Sequence, residues 1–303
     1  MLPADIQVIQ RGWLSANQII FHGNEFIDTV DTGFCIHQDQ TIQIIDHALE
    51  KNNNKTLRKI INTHLHSDHC GGNSSLQMKY HCDIYIPEAQ WDAVTHWDES
   101  SLSYQELGQP CPRFLPTHKL RPNEFVELGN DVWKILSAPG HDPHSVMLFQ
   151  EELGVLISAD ALWEKGFGAI FPELKGEGGF SEVRASLDLI EQLNPRYVIP
   201  GHGKPFSEVK EAIRYAKSRL DYLEQDPKKN AIHVSKVLIK FKLLELQSVS
   251  NEEALLWASQ TPMFGRIAKL LSLDQSELFK LTIKALEQSH ALILRDDMLI
   301  NHD

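Results

Sequence analysis

Thr63-His64-Leu65-His66-Ser67-Asp68-His69-Cys70-Gly71-Gly72 decides the reading of this chain. Three imidazoles and one carboxylate fall within six positions, and histidines held this close repel one another once protonated. Ahead of them, Arg58-Lys59-Ile60-Ile61-Asn62 reads as a buried strand. Behind them, Gly71 and Gly72 break the backbone and Asn73-Ser74-Ser75 offer helix-cap side chains. The expectation is a ligand-bearing loop between a strand and a helix, where side chains two apart converge on one point. Imidazole nitrogen and carboxylate oxygen are the usual ligands of zinc and similar divalent ions. The bland alternative is four polar residues on an exposed loop.

Working outward, the N-terminal flank offers two strands at 17–22 and 26–30, then Asp31-Thr32-Gly33. Asp31 either fixes a turn or orients a metal ligand. Residues 38–51 have a helical apolar face at Ile42, Ile45 and Leu49, ended by Asn52-Asn53-Asn54. On the other flank, 82–86 reads as a strand, 87–97 as a helix, and 100–117 as a long irregular segment with Pro110, Pro112 and Pro116. Hairpins are expected from 125–128 with 132–137, and from 146–150 with 155–158. Residues 163–179 hold five glycines and the aromatics Trp163, Phe167 and Phe171. Ser181 and Ser207 each read as the start of a helix, with the strand 197–200 between them.

Three of these strands end in further candidate ligands: His141 in Pro139-Gly140-His141, Asp160, and His202 in Gly201-His202-Gly203. Taken alone, His141 reads equally as a turn residue, Asp160 as a helix cap and His202 as a core histidine. Taken together, strand-end loops on a shared edge gather His64, His66, Asp68, His69, His141, Asp160 and His202. Seven ligands exceed one tetrahedral zinc and suit two metals sharing a carboxylate. Asp31, His144 and Ser145 are candidates to orient ligands or touch substrate, whereas Ser67 and Cys70 read as structural.

With 303 residues and 42% hydrophobic content the chain can bury a substantial core. Its net charge of -12 argues against a nucleic-acid binder, and no stretch is a basic tract. Cys35, Cys70, Cys82 and Cys111 form no C-x-x-C pair, so a reducing compartment is expected. Neither a signal peptide nor an apolar run of membrane-spanning length is legible, and the expectation is a cytoplasmic protein without membrane contact. Asp226-Pro227 marks a division into a catalytic domain, 1–226, and a second domain, 227–303. The latter reads as three helices, at 232–247, 252–271 and 276–289, and a hairpin about Asp296-Asp297, which suggests a winged-helix module. Ser250 or Asn251 caps the second helix and Asp274 the third. Oligomeric state stays open, a homo-oligomer included.

The set His64-x-His66-x-Asp68-His69, His141, Asp160 and His202 resembles the metallo-β-lactamase-fold hydrolase superfamily over about residues 17–206. The resemblance implies an α/β fold, a four-layer αββα sandwich with metals at one edge. It implies one metal on His64, His66 and His141, another on Asp68, His69 and His202, and Asp160 bridging both. Asp160 stands where the main zinc β-lactamases carry a cysteine, which argues against antibiotic hydrolysis. The 41 residues between Asp160 and His202 leave no room for the cap domain of nuclease branches. No equivalent is legible of the basic C-terminal segment of the glutathione-thioesterase branch, while a thioesterase branch with a helical C-terminal part is similar in layout.

The expected function is therefore that of a dinuclear metal-dependent hydrolase. A metal-bridging hydroxide attacks a small thioester or ester, with Asp68 anchoring one metal and accepting the proton. Zinc is the first expectation, and iron and manganese suit the same ligands. The loops 97–117 and 163–179 are expected to line the pocket, with helices of the C-terminal module as a further wall. The alternatives are a phosphodiesterase or ribonuclease using the same metals, a sulfur dioxygenase with one iron, and a regulatory protein acting by protein contacts.

Overall fold

The computed structural model describes residues 2–51 and 55–302. A first sheet orders β1 (Ile6–Ile9), β2 (Gln18–His22), β3 (Phe26–Val30), β4 (Thr56–Ile61), β5 (Asp83–Pro87) and β6 (His118–Leu120) side by side in chain order. Strands β1 to β3 run antiparallel, whereas β3 to β6 are parallel. Parallel neighbours need crossovers, supplied by α1 (Gln38–Lys51), then α2 (Ser67–Cys70) with α3 (Asn73–Tyr80), then α4 (Trp91–His96) with α5 (Ser103–Leu107).

The second sheet has the order β11-β10-β9-β8-β7, from β7 (Phe125–Leu128), β8 (Asp131–Ser137), β9 (Val146–Gln150), β10 (Val155–Ala159) and β11 (Tyr197–Pro200). Helix α6 (Phe180–Leu193) makes its one parallel crossover, from β10 to β11, and α7 (Val209–Glu224) lies beside α6.

Three apolar layers separate four structural ones. Phe21, Val30 and Ile61 of the first sheet meet Trp133, Leu148 and Ile157 of the second. Ile45 and Ala48 of α1 and Leu76 of α3 cover the outer face of the first sheet with Ile60 and Ile84. Val183 and Leu187 of α6, with Ile213 and Leu220 of α7, cover Leu156 and Val198 of the second. Strands β9 and β10 are buried along their whole length, which is why they read as apolar runs rather than alternating ones. This is the four-layer αββα sandwich expected.

Beyond it come α8 (Pro227–Leu246), β12 (Ser248–Ser250), α9 (Asn251–Gln260), α10 (Pro262–Leu271), α11 (Gln275–Gln288), β13 (Leu292–Arg295) and β14 (Met298–Asn301). The strands form a small sheet ordered β12-β14-β13. Ser250 with Glu253, and Asp274 with Glu277, form capping boxes, so both cap readings hold. The apolar faces of α8, α10 and α11 enclose a core that also takes in Leu107, Phe171 and Leu174. Among the described residues no helix is long and apolar enough to cross a membrane.

Several expectations are corrected. Helix α8 begins at Pro227, because Asp226 accepts from the backbone of Lys228 and proline suits the first helical position. The helix expected over 252–271 divides at Thr261-Pro262, where proline cannot donate to the preceding turn. The irregular segment 100–117 contains α5, and the short edge strands β1 and β6 carried too few residues to show a period. Asn73, Ser181 and Ser207 cap nothing: Asn73 and Ser181 lie inside α3 and α6, and α7 follows Glu208. The Asn52-Asn53-Asn54 stop lies outside the described residues.

Candidate metal centre

The ends of β4, β8, β10 and β11 lie at one edge of the sandwich, two sheets contributing to one site. After β4 the chain does not remain a loop. Cys70 N donates to His66 O at 3.2 Å and Gly71 N to Ser67 O at 3.0 Å, closing the turn of α2. Asp68 and His69 therefore ride on a helical turn, while His64 and His66 precede it. Asn73 is buried instead of capping: its amide donates to Asn62 Oδ1 (2.6 Å), and its carbonyl accepts from Thr32 Oγ1 (2.8 Å).

Asp160 follows Ala159, whose φ of +47° is uncommon for a residue with a Cβ. The parallel register of β10 and β11 shifts at this point. That kink turns the carboxylate inward, where Trp163 Nε1 donates to its Oδ1 at 3.1 Å. A Cβ on Gly201 would collide with that same Oδ1, and one on Gly168 would stand 2.5 Å from His141 Nδ1. Both glycines let backbone lie against a side chain of the cluster.

All seven predicted side chains come together. Asp160 Oδ2 lies 3.4 Å from His141 Nε2, 3.5 Å from His69 Nε2 and 3.9 Å from His202 Nε2. Asp68 Oδ2 is 3.1 Å from His202 Nε2, and His66 Nδ1 is 2.8 Å from His141 Nε2. Candidate ligand atoms lie within 4.8 Å of one another in three groups: His64, His66 and His141; Asp68, His69 and His202; and His64, His69 and Asp160. The nitrogens His64 Nε2 and His69 Nε2 are buried without a hydrogen-bond partner. Orphaned buried imidazole nitrogens are costly, and a divalent cation bound among these imidazoles and carboxylates would satisfy such lone pairs. The donor set thus fits divalent metals.

The electrostatics of the side chains favour the neutral, ligating form at two of the imidazoles. Burial, reinforced by the neighbouring imidazoles, holds His64 well below its ordinary pKa and His66 down at about 4. Burial would also lower His69, yet Asp31, Asp160 and Asp68 outweigh it and hold that ring well above the usual histidine range. Burial opposes ionisation of Asp160, but His69 and His202 keep its carboxyl well below the carboxylate range.

Asp31 is both turn and orienter: its φ is +55°, and its Oδ2 accepts from His69 Nδ1 at 2.7 Å. Ser67 donates to Gln109 Oε1 at 2.6 Å, and Cys70 is buried beside Tyr104 and Cys111, as structural roles require. Ser145 is buried in the turn after His141, while His144 is exposed and faces a separate groove with Gln90 and His96. Two neighbours escaped the sequence reading. Asp142 Oδ2 lies 3.8 Å from His66 Nε2, and Trp13 stacks on His202 with ring centroids 5.5 Å apart. Asp142 was visible only as a polar residue in a turn, and Trp13 gave no signal because its partner is 189 positions away.

The cluster opens into a cavity of about 400 Å³. Trp163, Phe171 and Leu107 line it from the two expected loops, and α8 supplies Val237, Phe241 and Leu244. Arg219 of α7 and His233 and Lys236 of α8 also face it. This basic lining gave no signal in the sequence, since its members are spread over three turns of two helices.

A sequence model described as the metallo-beta-lactamase superfamily matches residues 11–202. The probable metallo-hydrolase MJ0888 of Methanocaldococcus jannaschii is 29% identical over 185 residues, 58% of this chain and 84% of that protein. A hydroxyacylglutathione hydrolase of Legionella pneumophila (strain Lens) is 28% identical over 160 residues, 52% of this chain and 52% of its own length. The crystal structure of a metallo-beta-lactamase family protein from Thermus thermophilus superposes with a TM-score of 0.57 at 17% identity, covering 98% of each chain. At that identity the likeness speaks for the fold alone.

Proposed function

The chain belongs to the metallo-beta-lactamase superfamily, and from that premise we propose that it is a dinuclear metal-dependent hydrolase of small thioesters or esters. The observation that carries the reading is the convergence of seven imidazole and carboxylate side chains at the mouth of a cavity with apolar walls. In this reading His64, His66 and His141 hold one ion, Asp68, His69 and His202 hold the other, and Asp160 lies between them. Zinc is the first candidate, and iron and manganese suit the same donors. When bound, such ions lower the pKa of water toward ~7 and polarise a carbonyl.

The chain's own residues do the rest. Asp31 fixes the ring of His69, and Trp163 fixes the carboxylate of Asp160. Asp68, held near His202, is the group placed to accept a proton from the attacking water. Trp13 and Phe171 border the imidazoles and exclude bulk solvent from them. In this reading residues 1–226 form the catalytic unit, and the winged-helix-like unit 227–303 walls the cleft through α8. The cavity volume suits a small-molecule substrate.

Elemental analysis coupled to a hydrolysis screen of thioesters, lactones and phosphodiesters tests the reading. Two ions per chain and turnover of thioesters or esters are expected, with D160A losing metal and at least ~100-fold in turnover. Full turnover by metal-free protein, or turnover confined to phosphodiesters, overturns it.

A further inference from the structure

Resting on the hydrolase reading above, we propose that Arg219 and Lys236 form an anion subsite in the wall of the cavity. It would select esters or thioesters whose distal end carries a carboxylate or phosphate.

The first observation is an uncompensated guanidinium. Arg219 has two protein acceptors, Phe167 O at 3.3 Å and His233 Nε2 at 2.8 Å. A guanidinium has five N–H donors, so most of this one's capacity is unspent. Its plane lies over the Phe167 ring, with 5.0 Å from Cζ to the centroid. Among the described residues no carboxylate pairs with it. A desolvated cation without a counter-ion is costly, and burial accordingly lowers its pKa.

His233 does not supply the missing charge. Burial, with Arg219 and Lys236 beside it, pushes its pKa down to about 3, so it is a neutral acceptor at pH 7. Lys236 lies three positions further along α8, on the same face. It also lines the cavity, and among the described residues no carboxylate pairs with it. Lys240, one turn on, is different. Its Nζ donates to Ala291 O, Asn301 Oδ1 and His302 O, so it is committed to the C-terminal strands.

Charge is segregated along the cavity. In a chain of net charge -12, the carboxylates that line it are Asp68 and Asp160, both in the metal-ligand cluster. The cations lie on α7 and α8, and Phe171, Val237 and Phe241 line the same cavity. One loop touches both groups, because Phe167 O accepts from Arg219 while Gly168 lies against His141. A substrate with a reacting carbonyl for the metals, an apolar segment and an oxyanion would match these three kinds of surface.

The experiment compares mono-4-nitrophenyl adipate, a phosphate-ended counterpart and neutral 4-nitrophenyl hexanoate on metal-loaded protein. The wild type is expected to prefer one anionic ester by kcat/KM. R219Q is expected to cut that preference roughly tenfold or more, the size of a charged hydrogen bond, and R219K to restore part of it. K236M is expected to cut it in the same sense and guards against misfolding of R219Q. Which anionic ester wins separates carboxylate from phosphate. Calorimetric titration of adipate and inorganic phosphate into the same proteins reads the subsite without turnover. If no ester is hydrolysed but R219Q binds an anion about tenfold more weakly than wild type, the hydrolase reading fails and the subsite stands. Preference and anion affinity unchanged in both R219Q and K236M overturn the subsite.

Discussion

Asp31 Oδ2 lies 2.7 Å from His69 Nδ1, joining the end of β3 to the helical turn that carries two of the candidate ligands. The same carboxylate accepts from Thr63 N at 3.0 Å and Thr63 Oγ1 at 2.9 Å. It thus fixes the exit of β4 and the orientation of one ring in a single group. D31N keeps the shape and removes the charge. We expect roughly 10- to 100-fold weaker metal binding, read by competition against a chromophoric chelator. Unchanged affinity would show that His69 needs no such partner.

Backbone proximity makes a second prediction, at two positions that themselves carry no ligand atom. In G201A the new methyl collides with Asp160 Oδ1, and in G168A it meets His141 Nδ1 at 2.5 Å. Each variant is expected to lose metal affinity while keeping the wild-type circular dichroism spectrum. A control at Gly176, where a Cβ meets nothing within 4 Å but φ is +74°, should cost some stability and leave metal binding intact.

The two sheets are joined by Trp133, fully buried with Phe21 edge-on at 5.4 Å and 82°. W133A should cost ~3–5 kcal/mol in urea unfolding, through lost apolar contact and a cavity. W133F should cost less, because the indole N–H is buried without an acceptor. Equal costs for both would mean that the phenyl ring cannot refill the space the indole leaves.

His233 sets a pH dependence. Its folded pKa of about 3 lies below the unfolded value, so between pH 6.5 and 3 the unfolded chain binds a proton that the folded chain does not. Stability must fall as pH drops through that window and level off below it, by up to ~1.4 kcal/mol per pH unit. H233Q removes this contribution. Unfolding in urea at pH 7 and pH 5 should show a smaller acid loss in H233Q than in wild type. Parallel losses would place the titration on other groups, such as His66.

The seven side chains of the candidate metal centre were legible because each follows an apolar strand and stands beside a glycine, proline or helix start. These are local patterns, and local patterns survive in a one-dimensional string. Hairpins about Gly129-Asn130-Asp131 and Asp296-Asp297 were legible for the same reason, since turn residues declare their backbone conformation. Caps were legible where a serine or aspartate has its glutamate three residues on, as at Ser250 and Asp274, and misread at Asn73, whose partners lie in other segments.

By itself, then, the order of residues determined the strand ends, the ligand chemistry and the class of fold. Only tertiary structure decided that Trp13 covers His202, that Trp163 holds Asp160, and that Arg219 and Lys236 face the same cavity as the histidines. The reason is physical. A ligand motif is encoded by neighbours along the chain, whereas a cavity wall is made by side chains that helix packing brings together from distant turns. Neither their spacing nor their charge marks them until α7 and α8 close over the edge of the two sheets.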